Sequence, residues 1–226
     1  MYNEIKYLYL KQHAVTAGLT DAQILEMTST VKVKNIKKGE SVYMEDGFES
    51  RIYLLVKGKI KISEVDDRGD ELIKEILSAT EIFGDVSMDG SISDDEFAEA
   101  LTENTVICSF KSSEFKQLMQ TNVVLAMNFI QQVSVKFRRL ENRHSNLVFK
   151  DAKSRLISFF RDWATREGSK EGDKIKLNNY LTHNDIAGII STSRQSVTTL
   201  LNELKEGGMI YYNRKHIEFS DRYLVN

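Results

Sequence analysis

A short polar stretch around residue 194 carries side chains that can hydrogen-bond to DNA bases. Arg194 is followed by Gln195, and Thr198 and Thr199 lie one helical turn further on. In a major groove, arginine pairs with guanine, glutamine pairs with adenine, and threonine contacts the thymine methyl group. The predicted DNA-contacting residues are short polar or basic ones: Thr182, His183, Ser193, Arg194, Gln195, Thr198, Thr199, Arg214 and Lys215.

Two short helices with a tight turn at 191–193 must position these side chains. The first is predicted from His183 to Ile190. The second carries apolar residues at i, i+3, i+4 and i+7, the spacing of one helix face: Val197, Leu200, Leu201 and Leu204. Thr182 and Asp185 can form a capping box, and Ser193 can cap the second helix. The pattern predicts a DNA-binding helix-turn-helix, although an ordinary helical hairpin has the same periodicity.

A small hairpin is predicted directly after the second helix. Gly207 and Gly208 end that helix, and the strand-like runs 209–212 and 216–219 flank the turn Asn213-Arg214-Lys215. A hairpin in this place is a wing, and basic residues at its tip would meet phosphates. A solvated basic turn is the alternative.

Charge is unevenly distributed along the chain. From residue 148 onward there are 13 Lys/Arg and 10 Asp/Glu, which leaves 18 and 23 in the rest of the chain, for a net charge of -2. A basic end on an acidic body is typical of a DNA-binding module joined to another domain.

Composition excludes several classes of protein. One cysteine, Cys108, allows neither an internal disulfide nor a cysteine-built zinc or iron–sulfur site. The N-terminal residues lack the pattern of a signal peptide, and no apolar run approaches the length of a membrane span. We therefore expect a cytoplasmic protein that does not contact a membrane.

The first 110 residues predict a β-rich domain that follows a helical start. Residues 1–30 have a helical pattern with a cap at Thr20-Asp21. Six strand-like runs then alternate with glycine-containing turns: 31–36, 41–44, 51–56, 59–65, 71–77 and 105–110. Short strands at this spacing indicate an antiparallel barrel or sandwich, which would enclose a pocket suited to a sensor.

A long helix follows, with apolar residues at alternating gaps of three and four. We call this predicted row, which has one polar member, His144, the seam: Val123, Ala126, Ile130, Val133, Phe137, Leu140, His144 and Leu147. A repeat of this period favours a coiled coil, and in a single chain the natural partner is a second copy. The alternative is a helix that packs on the β-domain, for which Val124, Met127 and Val135 supply a neighbouring face. The predicted domains are residues 1–120, the dimerisation helix 121–148, and 149–226.

An amphipathic helix is predicted from Asp151 to Glu167 at the start of the last domain. Its inward residues are Leu156, Ile157, Phe160 and Trp163. We expect residues 168–173 to form a polar loop.

These pieces, in this order, resemble the catabolite-activator/FNR (Crp/Fnr) family of bacterial transcription regulators. The resemblance is strongest at Leu181–Ala187, Thr192–Val197 and Asn146–Ala152, and in the β-domain at Tyr53–Ile60 and Ile82–Asp85. It implies an α+β fold, with an N-terminal antiparallel β-roll (double-stranded β-helix, jelly-roll type), a long dimerisation helix and a C-terminal winged helix-turn-helix. It also implies a homodimer on a near-palindromic DNA operator with half-sites about 34 Å apart, contact with RNA polymerase, and an effector held between roll and helix.

The chain departs from the cyclic-nucleotide-binding members of the family. Those members follow a Gly-Glu pair with an Arg-Ser pair that holds the cyclic phosphate. Here Gly84-Asp85 keeps the first pair, but Asp94-Asp95-Glu96 stands at the second. Loss of one charged hydrogen bond costs about 1.5–3 kcal/mol, roughly 10- to 150-fold in affinity, and the acidic residues add repulsion.

We therefore expect no useful cAMP binding, and an effector that is unknown or absent. The residues expected to line an effector pocket are Gly84, Asp85, Phe97, Phe137, Leu140 and Glu141. The last two stand where the resemblance implies a hydroxyl pair that meets the purine.

Other cofactors and an enzymatic function are also disfavoured. The iron–sulfur members of the family use an N-terminal cysteine cluster, and none is present. No histidine lies in 31–110, the β-rich stretch where a haem ligand or the metal site of a related β-roll enzyme would be needed. We expect no metal or cofactor and no enzymatic activity.

The DNA-contacting residues depart from the most common pattern of the family, which has an acidic residue after the first arginine and a second arginine four positions later. Gln195 takes the acidic position and Thr199 takes that of the second arginine. The predicted operator is therefore richer in A·T than the TGTGA or TTGAT half-sites of the family. The alternative function is a ligand-sensing or protein-interaction module whose winged helix does not contact DNA.

Overall fold

The computed structural model describes residues 2–42, 50–65, 69, 71–89 and 96–220. The chain divides into two compact units, residues 1–140 and 141–226, and each is described by itself. The predicted division into three parts stays a prediction.

The first unit begins with short helices. Helix α1 spans Tyr2–Lys11, a 3-10 turn spans Ala14–Thr16, and α2 spans Asp21–Met27. The predicted cap at the start of α2 is confirmed in fuller form. Thr20 and Gln23 make a reciprocal capping box, in which each side chain accepts a hydrogen bond from the backbone amide of the other residue.

Seven strands form the β-roll, arranged in two antiparallel sheets. They are β1 Lys32–Ile36, β2 Arg51–Lys57, β3 Lys59–Val65, β4 Glu71–Ser78, β5 Ile82–Gly84, β6 Glu96–Ala100 and β7 Thr105–Lys111. One sheet has the order β1-β7-β2-β5 and the other β4-β3-β6. The jelly-roll architecture agrees with the predicted fold class.

The observed strands differ from the predicted ones at three places. Strands β5 and β6 were not predicted, because neither shows a long apolar alternation in the sequence. The run predicted at 41–44 is described only at its start, where Ser41 bridges to Glu99. Residues 43–49 lie outside the described ranges.

The roll is filled by a cluster of apolar side chains from both sheets. Across β3 and β6, Ile60 faces Ala100 and Ile62 faces Ala98, and all four belong to this cluster. The rings of Tyr53 and Phe83 stack inside it with their centroids 4.9 Å apart. Since Phe97 alternates with Ala98 along β6, its side chain is on the opposite face of the sheet.

A second apolar cluster lies between the helices and the outer face of the β1-β7-β2-β5 sheet. Helix α3, Ser112–Thr121, contributes Phe115 to it. Helix α4, Val123–Phe149, contributes Leu125 and Phe129. These two α4 residues, and not Val124 and Met127, pack on the roll, because the latter pair is 44 % and 58 % exposed.

The second unit combines three helices with a four-stranded sheet of order β10-β11-β9-β8. The helices are α5 Ala152–Glu167, α6 His183–Ile190 and α7 Arg194–Glu206. The strands are β8 Ser169–Glu171, β9 Lys174–Asn178, β10 Ile210–Tyr212 and β11 His216–Ser220. The polar loop predicted at 168–173 is wrong, because most of it is β8, paired with β9. An all-polar strand of three residues has no apolar pattern to predict it.

The predicted inward face of α5 is largely confirmed. Leu156, Phe160 and Trp163 are at most 1 % exposed, and Ile157 is partly buried. The rings of Phe160 and Phe219 meet at 5.3 Å, which packs α5 on the sheet. In the described part of the chain, no helix has the length and apolarity required to cross a bilayer.

Candidate nucleic-acid interface

The helix-turn-helix is built by the local signals that the sequence carries. Thr182 caps α6, and its hydroxyl accepts the Asp185 amide at 3.1 Å while the Asp185 carboxylate accepts the Thr182 amide at 2.8 Å. Ser193 caps α7 through the amide of Ser196 at 3.1 Å. The predicted helix bounds and both caps are confirmed.

The turn between α6 and α7 is held by an arginine from α5. Ser191 has a φ of +53°, a left-handed conformation that costs free energy for any residue with a side chain. The Arg155 guanidinium donates to the carbonyls of Ile190 and Ser191 at 2.8 and 3.2 Å and to that of Lys150 at 2.8 Å. Arg155 therefore ties the end of α6 to the residues that follow α4.

One face of α7 is buried and the other is open to solvent. Val197, Leu201 and Leu204 are at most 2 % exposed. Arg194 and Gln195, in the first turn, are exposed, and so is Thr199. These three side chains are available to enter a groove, with the shape and hydrogen-bonding groups that base contacts need.

Two of the predicted DNA-contacting residues, His183 and Thr198, hydrogen-bond to the protein itself. His183 Nδ1 lies 2.9 Å from Thr198 Oγ1, and His183 Nε2 lies 2.8 Å from the Tyr212 hydroxyl. Thr198 also donates to the Arg194 carbonyl at 3.0 Å. Burial and the nearby charge of Arg194 lower the pKa of His183, so the ring is neutral at neutral pH. Tyr212 was missed, since nothing in the sequence links it to residue 183.

Thr182 is likewise engaged within the protein. Besides capping α6, its hydroxyl donates to the Asp185 carboxylate at 2.6 Å. Because a hydroxyl has one proton, this side chain cannot also donate to DNA in this conformation.

The predicted wing is the hairpin of β10 and β11. Tyr212 pairs with Ile217 at its end, and the Asn213 side chain accepts the amides of Lys215 and His216 at 2.7 and 2.8 Å. This closes the turn and leaves Arg214 and Lys215 exposed at the tip. The hairpin is thus a short basic loop with a fixed backbone.

Three of the predicted effector-pocket residues, Gly84, Asp85 and Phe97, lie in the roll. Gly84 has a φ of +86°, and a Cβ there would lie 2.4 Å from the Arg51 carbonyl oxygen, so only glycine fits. Asp85 is 1 % exposed and accepts hydrogen bonds from Ser50 and Ser87. Phe97 faces away from the roll interior, as described above. Asp94 and Asp95 lie outside the described residues.

Helix α4 contacts the roll through ion pairs of Lys136 and Arg139, whereas the residues of α4 predicted to line the pocket are exposed. Phe137 and Leu140 are 59 % and 64 % exposed, and Glu141 is also exposed. Lys136 pairs with Glu75 of β4, and Arg139 pairs with Glu75 at 3.1 Å and with Glu81. Burial lowers the pKa of Arg139, but Glu81 and Glu75 outweigh this effect and leave that pKa raised. Nothing in the periodicity predicted this cluster of ion pairs.

A row of exposed apolar side chains runs along α4. Its members are Val123, Val124, Met127, Ile130, Phe137, Leu140, Leu147, Val148 and Phe149. Val133, which we predicted in the seam, packs instead against the roll cluster, and Ala126 is partly buried. Met127 takes a place in the exposed row because Leu125 and Phe129 fix the face that turns inward. His144 is exposed.

Two observations concern reactive and metal-binding groups. Cys108 is buried in the cluster between the helices and the β1-β7-β2-β5 sheet, and burial raises its pKa to about 12, so it is a neutral thiol at neutral pH. Within the described ranges, no three His, Cys, Asp or Glu side chains lie close enough together to hold a metal ion.

The sequence matches two family models, one in each unit. Residues 33–122 match the cyclic nucleotide-binding domain, and residues 154–223 match the Crp-like helix-turn-helix domain. The two matched regions contain the β-roll and the winged helix described above.

Relatives of known function and a solved structure agree with these matches. The chain is 28 % identical over 186 residues to a global nitrogen regulator of Synechocystis, covering 82 % of this chain and 83 % of that protein. It is 23 % identical over 212 residues to a CRP-like cAMP-activated global transcriptional regulator of Mycobacterium tuberculosis, covering 94 % of each.

The crystal structure of a cyclic nucleotide-binding domain containing protein from Listeria monocytogenes has the same fold. The two structures superpose with a TM-score of 0.73 and are 16 % identical in sequence. The match covers 99 % of this chain and 100 % of the Listeria chain. Together with the matches of both units, these likenesses show that the chain belongs to the Crp/Fnr family of DNA-binding transcription regulators.

Proposed function

We propose that the protein is a homodimer that binds a specific double-stranded DNA operator and regulates transcription from it. The observation that carries the proposal is the open face of α7. Arg194, Gln195 and Thr199 are exposed beside a buried apolar face, on a helix capped at both ends. A rigid helix with free polar side chains in its first turns is what major-groove recognition requires. The protein is proposed to act by binding and not as an enzyme.

The operator is proposed to differ from those of other family members. Arg194 suits guanine or a phosphate, Gln195 suits the N6 and N7 atoms of adenine, and Thr199 suits the thymine methyl group. These preferences favour A·T pairs at the positions contacted by the last two residues. Arg214 and Lys215 on the wing, together with Ser193 at the start of α7, would contact the backbone and add affinity without selecting bases.

The homodimer is proposed to form along the exposed apolar row of α4. Ile130 and Phe137, two heptad-related positions, are 55 % and 59 % exposed in the single chain. Covering such side chains removes apolar surface from water, and a parallel pair of helices would do so for the heptad-related members of the row. A two-fold dimer would present two α7 helices to half-sites about 34 Å apart. As in other family members, RNA polymerase is the expected protein partner.

The proposed regulator does not respond to cAMP, although the mycobacterial relative is named as cAMP-activated. The sequence puts Asp94, Asp95 and Glu96 where the phosphate-binding arginine is expected. Asp85 is buried and hydrogen-bonded to two serines, so it is not directed at a ligand. The proposed regulator has either no effector or one of another chemical kind. We also propose that the protein carries no haem or iron–sulfur cluster, since the described residues offer one buried thiol.

Titration of labelled operator DNA over a range of salt concentrations tests the proposal. A dimer that neutralises about 6 to 10 phosphates loses roughly 10³- to 10⁵-fold in affinity between about 50 and 200 mM salt. Arg194→Ala is expected to weaken specific binding by about 5- to 150-fold, the value of a bidentate base contact. Arg166→Ala, which removes an exposed arginine from α5, is the matched control and should bind like the wild type.

Two results of the same titration would contradict the proposal. A salt-independent affinity, or equal binding by Arg194→Ala and the wild type, would exclude the DNA contact described here. A higher affinity in the presence of micromolar cAMP would exclude the cAMP-independent mechanism.

A further inference from the structure

The hydrogen bonds around His183 form a directed chain with one consistent arrangement of protons. Thr198 donates its single hydroxyl proton to the Arg194 carbonyl, so its oxygen can only accept from His183. The Nδ1 atom of His183 must therefore carry the proton. In a neutral ring the Nε2 atom is then an acceptor, and the Tyr212 hydroxyl donates to it.

This chain of hydrogen bonds joins three elements that are separate in the sequence. His183 is the first residue of α6, Thr198 lies one turn into α7, and Tyr212 ends the first strand of the wing. The His183 and Tyr212 rings are also in contact, with centroids 5.5 Å apart. One end of this chain of hydrogen bonds is the backbone carbonyl of Arg194. The other end is the Tyr212 hydroxyl, and Tyr212 is two residues before Arg214.

We propose that Tyr212 and His183 are positioning residues that hold the wing at a fixed place relative to α7, so that Arg194 and Arg214 engage the same stretch of DNA. This inference rests on the proposed DNA-binding function. Neither residue needs to contact a base. His183 and Thr198, which the sequence suggested as DNA contacts, act through their neighbours in this scheme.

The chemical argument is one of preorganisation. A wing that is free to move must be ordered on binding, and that cost reduces affinity. Hydrogen bonds between partly buried side chains stabilise the bound arrangement before DNA arrives. The chain of hydrogen bonds should therefore contribute to operator affinity without changing the number of phosphates that the protein contacts.

Tyr212→Phe is the sharpest test, because it removes one hydroxyl and keeps the ring. Loss of a neutral hydrogen bond predicts roughly a 3- to 10-fold lower operator affinity, with an unchanged slope of affinity against salt. Tyr211→Phe removes a hydroxyl from the adjacent residue, which is 50 % exposed, and should have no effect. If Tyr212→Phe fails to fold, Thr198→Val breaks the next link, and Thr198→Ser should restore binding.

Nitrogen-15 NMR of the histidine rings gives a readout that is independent of DNA. In the free wild-type protein His183 is expected as the Nδ1–H tautomer. Because Thr198 still requires the proton on Nδ1, Tyr212→Phe should keep this tautomer, whereas Thr198→Val removes that requirement and should shift the ring toward the Nε2–H tautomer.

The outcomes separate this inference from the proposed function. An Nε2–H tautomer in the wild type, or equal operator affinity for Tyr212→Phe and the wild type, would overturn the positioning role. Absence of DNA binding by the wild type would overturn the proposed function, while the tautomer would still test whether the chain exists.

Discussion

At the residue scale, a few buried or partly buried histidines have pKa values that the fold lowers. His13 is one of them. It is 2 % exposed, its Nδ1 atom accepts the Val15 amide at 3.2 Å, and its Nε2 atom lies 3.4 Å from the Glu81 carbonyl oxygen. Burial lowers the pKa of His13 to about 4, although the contact with Glu81 opposes this effect. The roll therefore requires a neutral ring at this position.

The lowered pKa of His13 predicts that the stability of the roll depends on pH. Because the folded pKa is below the ordinary value near 6.5, its contribution is complete above about pH 6.5 and is lost as the pH falls toward about 4. The full loss is about 3 kcal/mol of unfolding free energy. Urea titrations followed by NMR signals of the roll should show this fall in the wild type.

His13→Gln provides the control for that prediction. Glutamine can donate and accept but does not titrate in this range, so the stability difference between wild type and variant should shrink as the pH falls. An identical pH dependence in both proteins would contradict the assignment. Fluorescence of Trp163, which is in the other unit, should report no His13-dependent change.

The difference between what the sequence predicts and what it does not predict is clearest for individual side chains. The types and spacing of Arg194, Gln195 and Thr199 were enough to predict a polar face on α7, and these residues are exposed. The engagement of His183 by Thr198 and Tyr212 was not predictable. It depends on contacts between residues 15 and 29 positions apart in the sequence. Local spacing carries no information on such contacts.

At the scale of elements, strong local signals set the bounds of helices, and packing decides which face of a helix turns inward. Caps and periodicity predicted α6 and α7 closely. On α4, gaps of three and four residues fit two neighbouring rows, one through Val133 and one through Met127. The burial of Leu125 and Phe129 selects the second row. The order of apolar residues alone could not make that choice.

The exposed row of α4 predicts the effect of a charge in its middle. Ile130→Glu should leave the roll folded, since this side chain is 55 % exposed. It should prevent dimer formation, because a carboxylate would have to be buried against an apolar surface without a partner. Sedimentation should then show a monomer where the wild type is a dimer, and operator affinity should fall.

Gln131→Glu is the matched substitution, one residue along and about 100° around the helix. This substitution adds the same carboxylate beside the row, and the variant protein should remain a dimer. A dimeric Ile130→Glu protein would show that α4 does not form the interface.

At the scale of the whole molecule, the chain combines a roll with an apolar interior and a DNA-binding unit with an exposed polar helix face. Stacked Tyr53 and Phe83 rings occupy the roll interior, and Lys136 and Arg139 hold α4 to the roll through Glu75 and Glu81. The apolar filling of the roll and the acidic residues Asp94, Asp95 and Glu96 support the proposal that cAMP has no place in its regulation.

Selection of binding sites from random double-stranded DNA by the full-length protein tests the central claim most directly. The predicted product is a pair of inverted half-sites about one helical turn apart, richer in A·T than TGTGA or TTGAT, with adenine where Gln195 contacts the groove. Gln195→Glu should replace that adenine by cytosine, whose amino group a carboxylate can accept. Recovery of TGTGA or TTGAT half-sites, or of no enriched sequence, would contradict the account.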